Sequence, residues 1–375
     1  MDYKGELKVE PEMFDKGIVF ETRGMQASLF RYGSGVAAVK IKNDSRGEMI
    51  LTPLQGMQIW CAEFDGKSLG MDSKVKEPVL GKEYLPGYGA LLVHCGARRM
   101  GCPSETETPF PIHGDLPYAD YSGVVLHFGE ELGVPYMTVT ANLSDPAARM
   151  LGSFYNAFPA VKLTSGSSII DVSMKIANIG PADMDLMYLA HINLLGVPGS
   201  ELVYSAPCTP EDVLVRTGDP AQSKDLTPEF LAFRQSIVDN PSIQDRYPED
   251  FPFNPEVVSY FKFLADEEGW AHSMAVLPDG NAFYVAHNPQ QFPIGVRWMR
   301  TVENPPDSFP VRRSLGYLPS TSHVEGYENA KARGSVRTLK ARQNAIFNYK
   351  IGLLTKDETA EMRGTIEDIL INQIK

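Results

Sequence analysis

The sequence predicts an all-β fold: a single large antiparallel β-sandwich spanning residues 1–375, with a few short helices. Three observations carry this reading. Window after window alternates apolar and polar residues with the period of two that half-buried strands require. The 32 glycines and 28 prolines suit many turns and few long helices. Helical periodicity is confined to two stretches, and neither an internal repeat nor a low-complexity linker divides the chain.

Taken in order, "GVAAVKI" and "MQIWCAEF" are short strands bounded by turn residues, and "LLV" at Leu91–Val93 is an apolar strand running into a long Gly/Pro-rich loop. "GVVLHF" and "YMTVTANL" follow. "SSIIDVSMKIAN" is the cleanest strand, with Ile170, Val172, Met174 and Ile176 on one face and Asp171, Ser173 and Lys175 on the other. "TPEFLAFRQSIVDN" has helical spacing. "VVSYFKFLA", "HSMAVLP" and "NAFYVAH" return to strand, and "NAIFNYKIGLL" places Ala345, Phe347, Tyr349 and Ile351 on one face. The tail "TKDETAEMRGTIEDILINQIK" reads as a helix capped by Thr355, with acids in its first turn.

Composition narrows the function. A net charge of −12 without a basic block argues against nucleic acid and against a polybasic membrane surface, leaving a small neutral or polar ligand. The N-terminus lacks the apolar core of a signal peptide and no stretch approaches 18 consecutive apolar residues, so a cytoplasmic protein is expected. Four cysteines, Cys61, Cys95, Cys102 and Cys208, make neither a disulfide framework nor a CxxC pair. No metal or other cofactor is expected; a metal site would need His94, His113 and His323 to converge, and His94, Cys95 and Cys102 match no standard zinc spacing. The sequence carries no signal for an oligomeric state.

Three segments carry candidate chemistry. In "LLVHCGARRMGCPSETETPFPIHGDLPYADY" a long loop bears Arg98, Arg99 and His113; His113 reads equally as a proton-transfer group and as a turn residue beside Gly114, and the arginines equally as ligand contacts and as solvated side chains. In "DLMYLAHINLLGVPG" the period of two sets His191 on one face with Leu189 and Asn193, either as a functional group or as a satisfied core histidine. In "LGYLPSTSHVEGYENAKARG" a loop brings Glu325 and His323, preceded by Trp298 between Arg297 and Arg300, a set suited to stacking on a sugar or to a surface cation–π pair. Two histidines and a carboxylate suit one reaction in particular. Opening a cyclic hemiacetal needs a base for the anomeric hydroxyl and an acid for the ring oxygen, and Glu with His supplies both.

At these segments the chain resembles the aldose 1-epimerase (galactose mutarotase-like) superfamily, and within it a bacterial branch known mainly as a domain of unknown function. "PIHGD" puts His113 at the family's "HG" loop, and "AHINLLG" puts His191 at the strand position of the general acid, with Asn193 following. The likeness spans roughly residues 15 to 353 and rests on the order and spacing of short motifs. It implies a β-supersandwich with a sugar site on its concave face, His191 as acid to the ring oxygen, His113 as an orienting group or second proton relay, and Arg98, Arg99, Asn193, Trp298 and Arg300 as sugar contacts. One position departs from the family. Relatives carry the base as "E-P-x-T", whereas "YLPSTSHVEGY" has Leu318 there, so either Glu325, seven residues on, supplies the carboxylate or the base is absent. The resemblance therefore implies a mutarotase-like isomerase acting on a small carbohydrate, with a carbohydrate-binding protein without turnover as the alternative class.

Overall fold

The computed structural model describes residues 4–81, 83–103, 110–143, 154–217, 226–249 and 256–373. Among them, two antiparallel sheets pack face to face. One has nine strands in the order β1 (Lys4–Lys8), β10 (Ser122–Glu131), β11 (Val134–Asn142), β12 (Tyr155–Thr164), β13 (Ile169–Asn178), β23 (Asn344–Leu354), β19 (Ala282–His287), β18 (Ala271–Val276) and β15 (Glu201–Tyr204). The other has fourteen. Its main run is β16 (Leu214–Val215), β17 (Val257–Phe261), β20 (Ile294–Thr301), β21 (Val311–Ser320), β14 (Met184–Leu194), β9 (Leu92–Ala97), β6 (Gln58–Phe64), β5 (Gly47–Thr52), β4 (Ala37–Asn43), β3 (Met25–Arg31) and β2 (Val19–Thr22). The short β7 (Lys67–Ser68), β8 (Asp72–Ser73) and β22 (Arg337–Leu339) pair beside this run.

The nine-stranded sheet obeys its alternation. On β13, Ile170, Val172, Met174 and Ile176 are buried against the other sheet while Asp171, Ser173 and Lys175 are turned away from it. The fourteen-stranded sheet differs on its β14 half: every residue from Leu186 to Leu194 is buried, so both faces of this strand are covered. Leu186, Tyr188, Ala190 and Ile192 join the core between the sheets, and Met187 and Leu189 join a second cluster on the far, concave face. This double burial is what makes room for a site.

Helices are few: α1 (Pro11–Asp15), α2 (Pro228–Asp239), α3 (Tyr327–Ala332) and α4 (Lys356–Gln373). The Thr355 cap is the one the sequence predicts, and Thr227 caps the second helix in the same way. Thr227 Oγ1 accepts from the Phe230 N–H at 3.2 Å, and Thr355 forms a reciprocal box with Glu358, at 3.3 Å to its N–H and 2.6 Å from its carboxylate. Among the described residues no helix is long and apolar enough to cross a membrane.

Two buried histidines outside the concave face contribute to the acid stability. His94 lies between the sheets with Nδ1 2.7 Å from the Tyr188 hydroxyl, and His287 is packed edge-on against Phe263 and Phe292. Burial pulls each down to about 3 from an ordinary 6.5. The unfolded chain therefore takes up protons below pH 6.5 that the folded chain refuses, so stability is present above that pH and is lost as pH falls towards 3. Each such group removes up to about 1.4 kcal/mol per pH unit. Urea unfolding at pH 7 and pH 5 should show a clearly lower midpoint at pH 5; an unchanged or higher midpoint would contradict the linkage.

Candidate active site

Strand register decides which side chains share the concave face. Pairing of β14 with β21 sets Leu189 opposite Ser320 and Asn193 opposite Gly316, which brings His191 level with Leu318. The neighbouring ladders set Val296 opposite Leu318 and Val258 opposite Trp298. Loops close over this floor, carrying Tyr84 and Tyr88, Ile112 and His113, Phe309 and Val324. Together they enclose a cavity of about 480 Å³, within the range of small-molecule sites.

His113 reaches the cavity because the chain makes a tight turn there. Its φ is +60° and that of Gly114 is +85°; the His113 N–H donates to Gly101 O at 2.9 Å and its carbonyl accepts from the Gly96 N–H at 2.8 Å. A Cβ at position 114 would stand 2.1 Å from Arg99 O and 2.5 Å from Gly96 O, so the residue after the histidine must be glycine. The two imidazoles meet edge to face in the cavity lining, with centroids 5.2 Å apart.

Hydrogen bonds assign the tautomer of His191. The Asn193 amide nitrogen donates to Ala90 O at 3.0 Å and to His191 O at 3.2 Å, which identifies Oδ1 as the acceptor. That oxygen accepts from the Tyr88 hydroxyl at 2.7 Å and from His191 Nδ1–H at 2.7 Å. The proton thus sits on Nδ1 and Nε2 holds the lone pair. Burial pulls His191 down to about 4, only partly countered by Asn193 and by the charge of Glu256. Burial likewise holds His113 well below the usual histidine range, helped by the charge of Arg216 and by the neighbouring His191, which would repel a second proton. Both rings are neutral at pH 7.

The carboxylate at the cavity is Glu256, immediately before β17. Its Oε1 accepts from Arg216 Nη2 at 2.7 Å and its Oε2 from Trp298 Nε1 at 2.8 Å. Burial pushes this carboxyl up, but the Arg216 charge, the two hydrogen bonds and the Arg300 charge outweigh it, so Glu256 is held below the usual carboxylate range and is ionised. Arg216 is itself anchored by its backbone N–H to Val258 O at 2.9 Å.

Of the residues singled out from the sequence, His113, His191 and Trp298 line the cavity and Asn193 supports His191 from within the strand. The others stand elsewhere. Arg98 lies 3.6 Å from Asp115 and over the Phe110 ring; Arg99 lies over the Tyr327 ring at 3.4 Å and 3.9 Å from Asp185. Arg300 is stacked on Phe309 at 4.0 Å and donates to Val311 O, so it reaches the site through its charge on Glu256. Glu325 does not line the cavity: Val324 does, and the Glu325 carboxylate is 3.8 Å from Arg333 and faces Tyr260. Arg297, beside Trp298, is on the opposite face, caged by Tyr204 and Phe261. His323 meets Ser335 at 3.1 Å, His94 lies between the sheets, and no cluster able to hold a metal exists among the described residues.

Glu256 and Arg216 escape sequence reasoning. Arg216 follows a two-residue strand and Glu256 precedes a wholly buried one, so neither has a period to mark it; a proline-flanked carboxylate ahead of the apolar run "VVSYF" is the one signal that points to Glu256.

A family model described as a domain of unknown function (DUF4432) matches residues 33–353. No curated protein matches the chain. Among solved structures, the chain is similar to a Klebsiella pneumoniae protein provisionally assigned as an aldose 1-epimerase, at 18% identity and TM-score 0.76, with 99% of this chain and 96% of that one covered. It is also similar to a galactose mutarotase-like protein of Clostridium acetobutylicum, at 13% identity and TM-score 0.54, covering 88% and 99%. A galactose 1-epimerase of Lactobacillus acidophilus follows at 12% and 0.53, covering 94% and 99%. At these identities the likeness is one of fold.

Proposed function

The chain belongs to the DUF4432 family, with a mutarotase-like fold, and from this premise we propose that it binds a monosaccharide in the concave cavity and interconverts its anomers. The observation that carries the reading is the pair of neutral histidines 5.2 Å apart beside an ionised, buried Glu256. His191 Nε2 takes the proton from the anomeric hydroxyl and delivers it to the ring oxygen as the C1–O5 bond breaks and C1=O1 forms. Rotation about C1–C2 and the reverse steps reclose the ring on the other face, with no net proton gained or lost. Glu256 stabilises the transient imidazolium, Arg216 and Trp298 hold Glu256 in place, and His113 hydrogen-bonds and orients the sugar. The barrier is modest because sugars mutarotate unaided, so one well-placed shuttle suffices.

Exchange NMR on reducing sugars at anomeric equilibrium tests the reading directly. Saturation of one anomer should transfer to the other faster with protein than without. Since His191 must be neutral to accept the proton and burial pulls it down to about 4, the catalysed rate should climb through that pH and then stay flat from about 5 to 8. A rate that falls as pH rises through 5 would instead require a protonated histidine in the resting enzyme. Leu318 in the place of the family glutamate favours a second reading, a sugar-binding protein without turnover. Line broadening of sugar signals without faster exchange is its signature.

A further inference from the structure

We propose that the ligand is an uncharged deoxy aldose, bound with its deoxygenated edge against the wall formed by Leu189, Val296, Leu318 and Val324; this rests on the anomer-exchange reading of the same cavity. Charge is the first argument. Among the residues that line the cavity the cation and the anion are already matched, Arg216 to Glu256 at 2.7 Å, both histidines are neutral, and Arg300 stands behind the lining on Phe309 and Val311 O, so an acidic or phosphorylated sugar would meet no unmatched cation in the lining unless it displaced Glu256.

The distribution of polar groups is the second. Along the strands in one direction from His191 lie Trp298 and, beyond it, Glu256 with Arg216. On the floor in the other directions there are none; the remaining polar side chains of the lining, Tyr84, Tyr88, Cys102 and His113, come from the covering loops. Leu318 stands across the ladder from His191, Val296 stands across the next ladder from Leu318, and Leu189 is two residues back along β14 on the same face. Val324 covers them from the loop above. Neighbouring strands are about 4.8 Å apart, so a ring whose anomeric carbon sits at His191 lays the adjoining edge on this wall. That edge carries C2 on one side of the anomeric carbon, or C5 and C6 beyond the ring oxygen on the other. A hydroxyl there would give up water for a surface with no donor or acceptor, whereas a methylene or methyl gains contact. Such a wall discriminates by roughly ten- to a hundredfold.

The test is a matched panel followed by exchange NMR: glucose, 2-deoxyglucose and 6-deoxyglucose, galactose and 6-deoxygalactose, and glucuronic acid as the charged member. At least one deoxy sugar should exceed its parent by tenfold or more in catalysed exchange per substrate concentration, and glucuronic acid should be the poorest. Parents equal to or better than every deoxy partner, or a preference for glucuronic acid, would overturn the proposal while leaving the anomerase reading intact. Absence of exchange throughout would remove that reading, and dissociation constants for the same panel then decide the preference on their own; no binding of any member would remove both. A Leu318→Gln variant places a donor and acceptor in the wall and should shrink the deoxy-to-parent ratio about tenfold. An unchanged ratio in a folded variant would show that Leu318 does not face the sugar edge.

Discussion

Replacing His191 with alanine is expected to lower catalysed anomer exchange by roughly 10²- to 10⁴-fold, the usual worth of a positioned acid–base group, while sugar binding survives. The argument is one of proton affinity. Glu256 is a weak base, because Arg216 and Trp298 engage its two oxygens and hold it below the usual carboxylate range. Burial holds His113 well below the usual histidine range, and His191, pulled down to about 4, has Nε2 left as acceptor by the Asn193 bond. Truncation leaves no orphaned partner, since Asn193 Oδ1 still accepts from Tyr88 at 2.7 Å, so the variant should fold. It leaves instead an imidazole-sized gap between Tyr88 and Trp298, and added imidazole should restore part of the rate. Full rate in the variant would remove His191 from the mechanism. Loss of sugar binding together with a much lower Tm, and no rescue by imidazole, would make its role structural.

How much of this was legible in the sequence depends on the range of the contact that sets each residue. The alternation in "SSIIDVSMKIAN" is local, and the strand follows it residue by residue. The unbroken apolar run around His191 reports a strand buried on both faces, and the period of two within it correctly groups Leu189, His191 and Asn193. The turn at His113-Gly114 is also local, a demand for two consecutive positive φ values that glycine and histidine can meet. Glu256 and Arg216 are placed otherwise. They meet His191 only because β16, β17, β20, β21 and β14 are neighbours in one sheet although their chain positions run from Met184 to Ser320. Glu325 illustrates the same limit from the other side. Its distance from Leu318 along the chain said nothing of which way the loop would turn, and the bend after β21 sends Val324 into the cavity and Glu325 towards Arg333.

An Arg216→Met variant is expected to lose about 3–5 kcal/mol and to reverse the pH dependence contributed by Glu256. In the wild type the folded-state pKa of Glu256 lies below its ordinary 4.5, so its stabilisation is present above that pH and is lost as pH falls through the folded value. Without Arg216 burial becomes the dominant influence, opposed by the Trp298 hydrogen bond and the Arg300 charge, and the carboxyl is pushed above its unfolded value. The sign then inverts: stability is present below the unfolded pKa and is lost as pH rises through the folded one. Subtracting wild type from variant at each pH cancels the linkage of His94 and His287, whose shifts are set by burial rather than by Arg216, and in urea unfolding at pH 5 and 7.5 the deficit should be larger at pH 7.5. Combining Arg216→Met with Glu256→Gln removes the buried charge altogether, keeps a hydrogen-bond acceptor for Trp298, and should recover most of the loss. A deficit independent of pH, or a double variant no better than the single, would mean that Glu256 is not a buried anion held by Arg216. The double variant also separates structure from chemistry. Well folded but without the charge that stabilises the imidazolium on His191, it should bind the sugar and exchange its anomers slowly, and a wild-type rate in that protein would confine the Arg216–Glu256 pair to holding the cavity open.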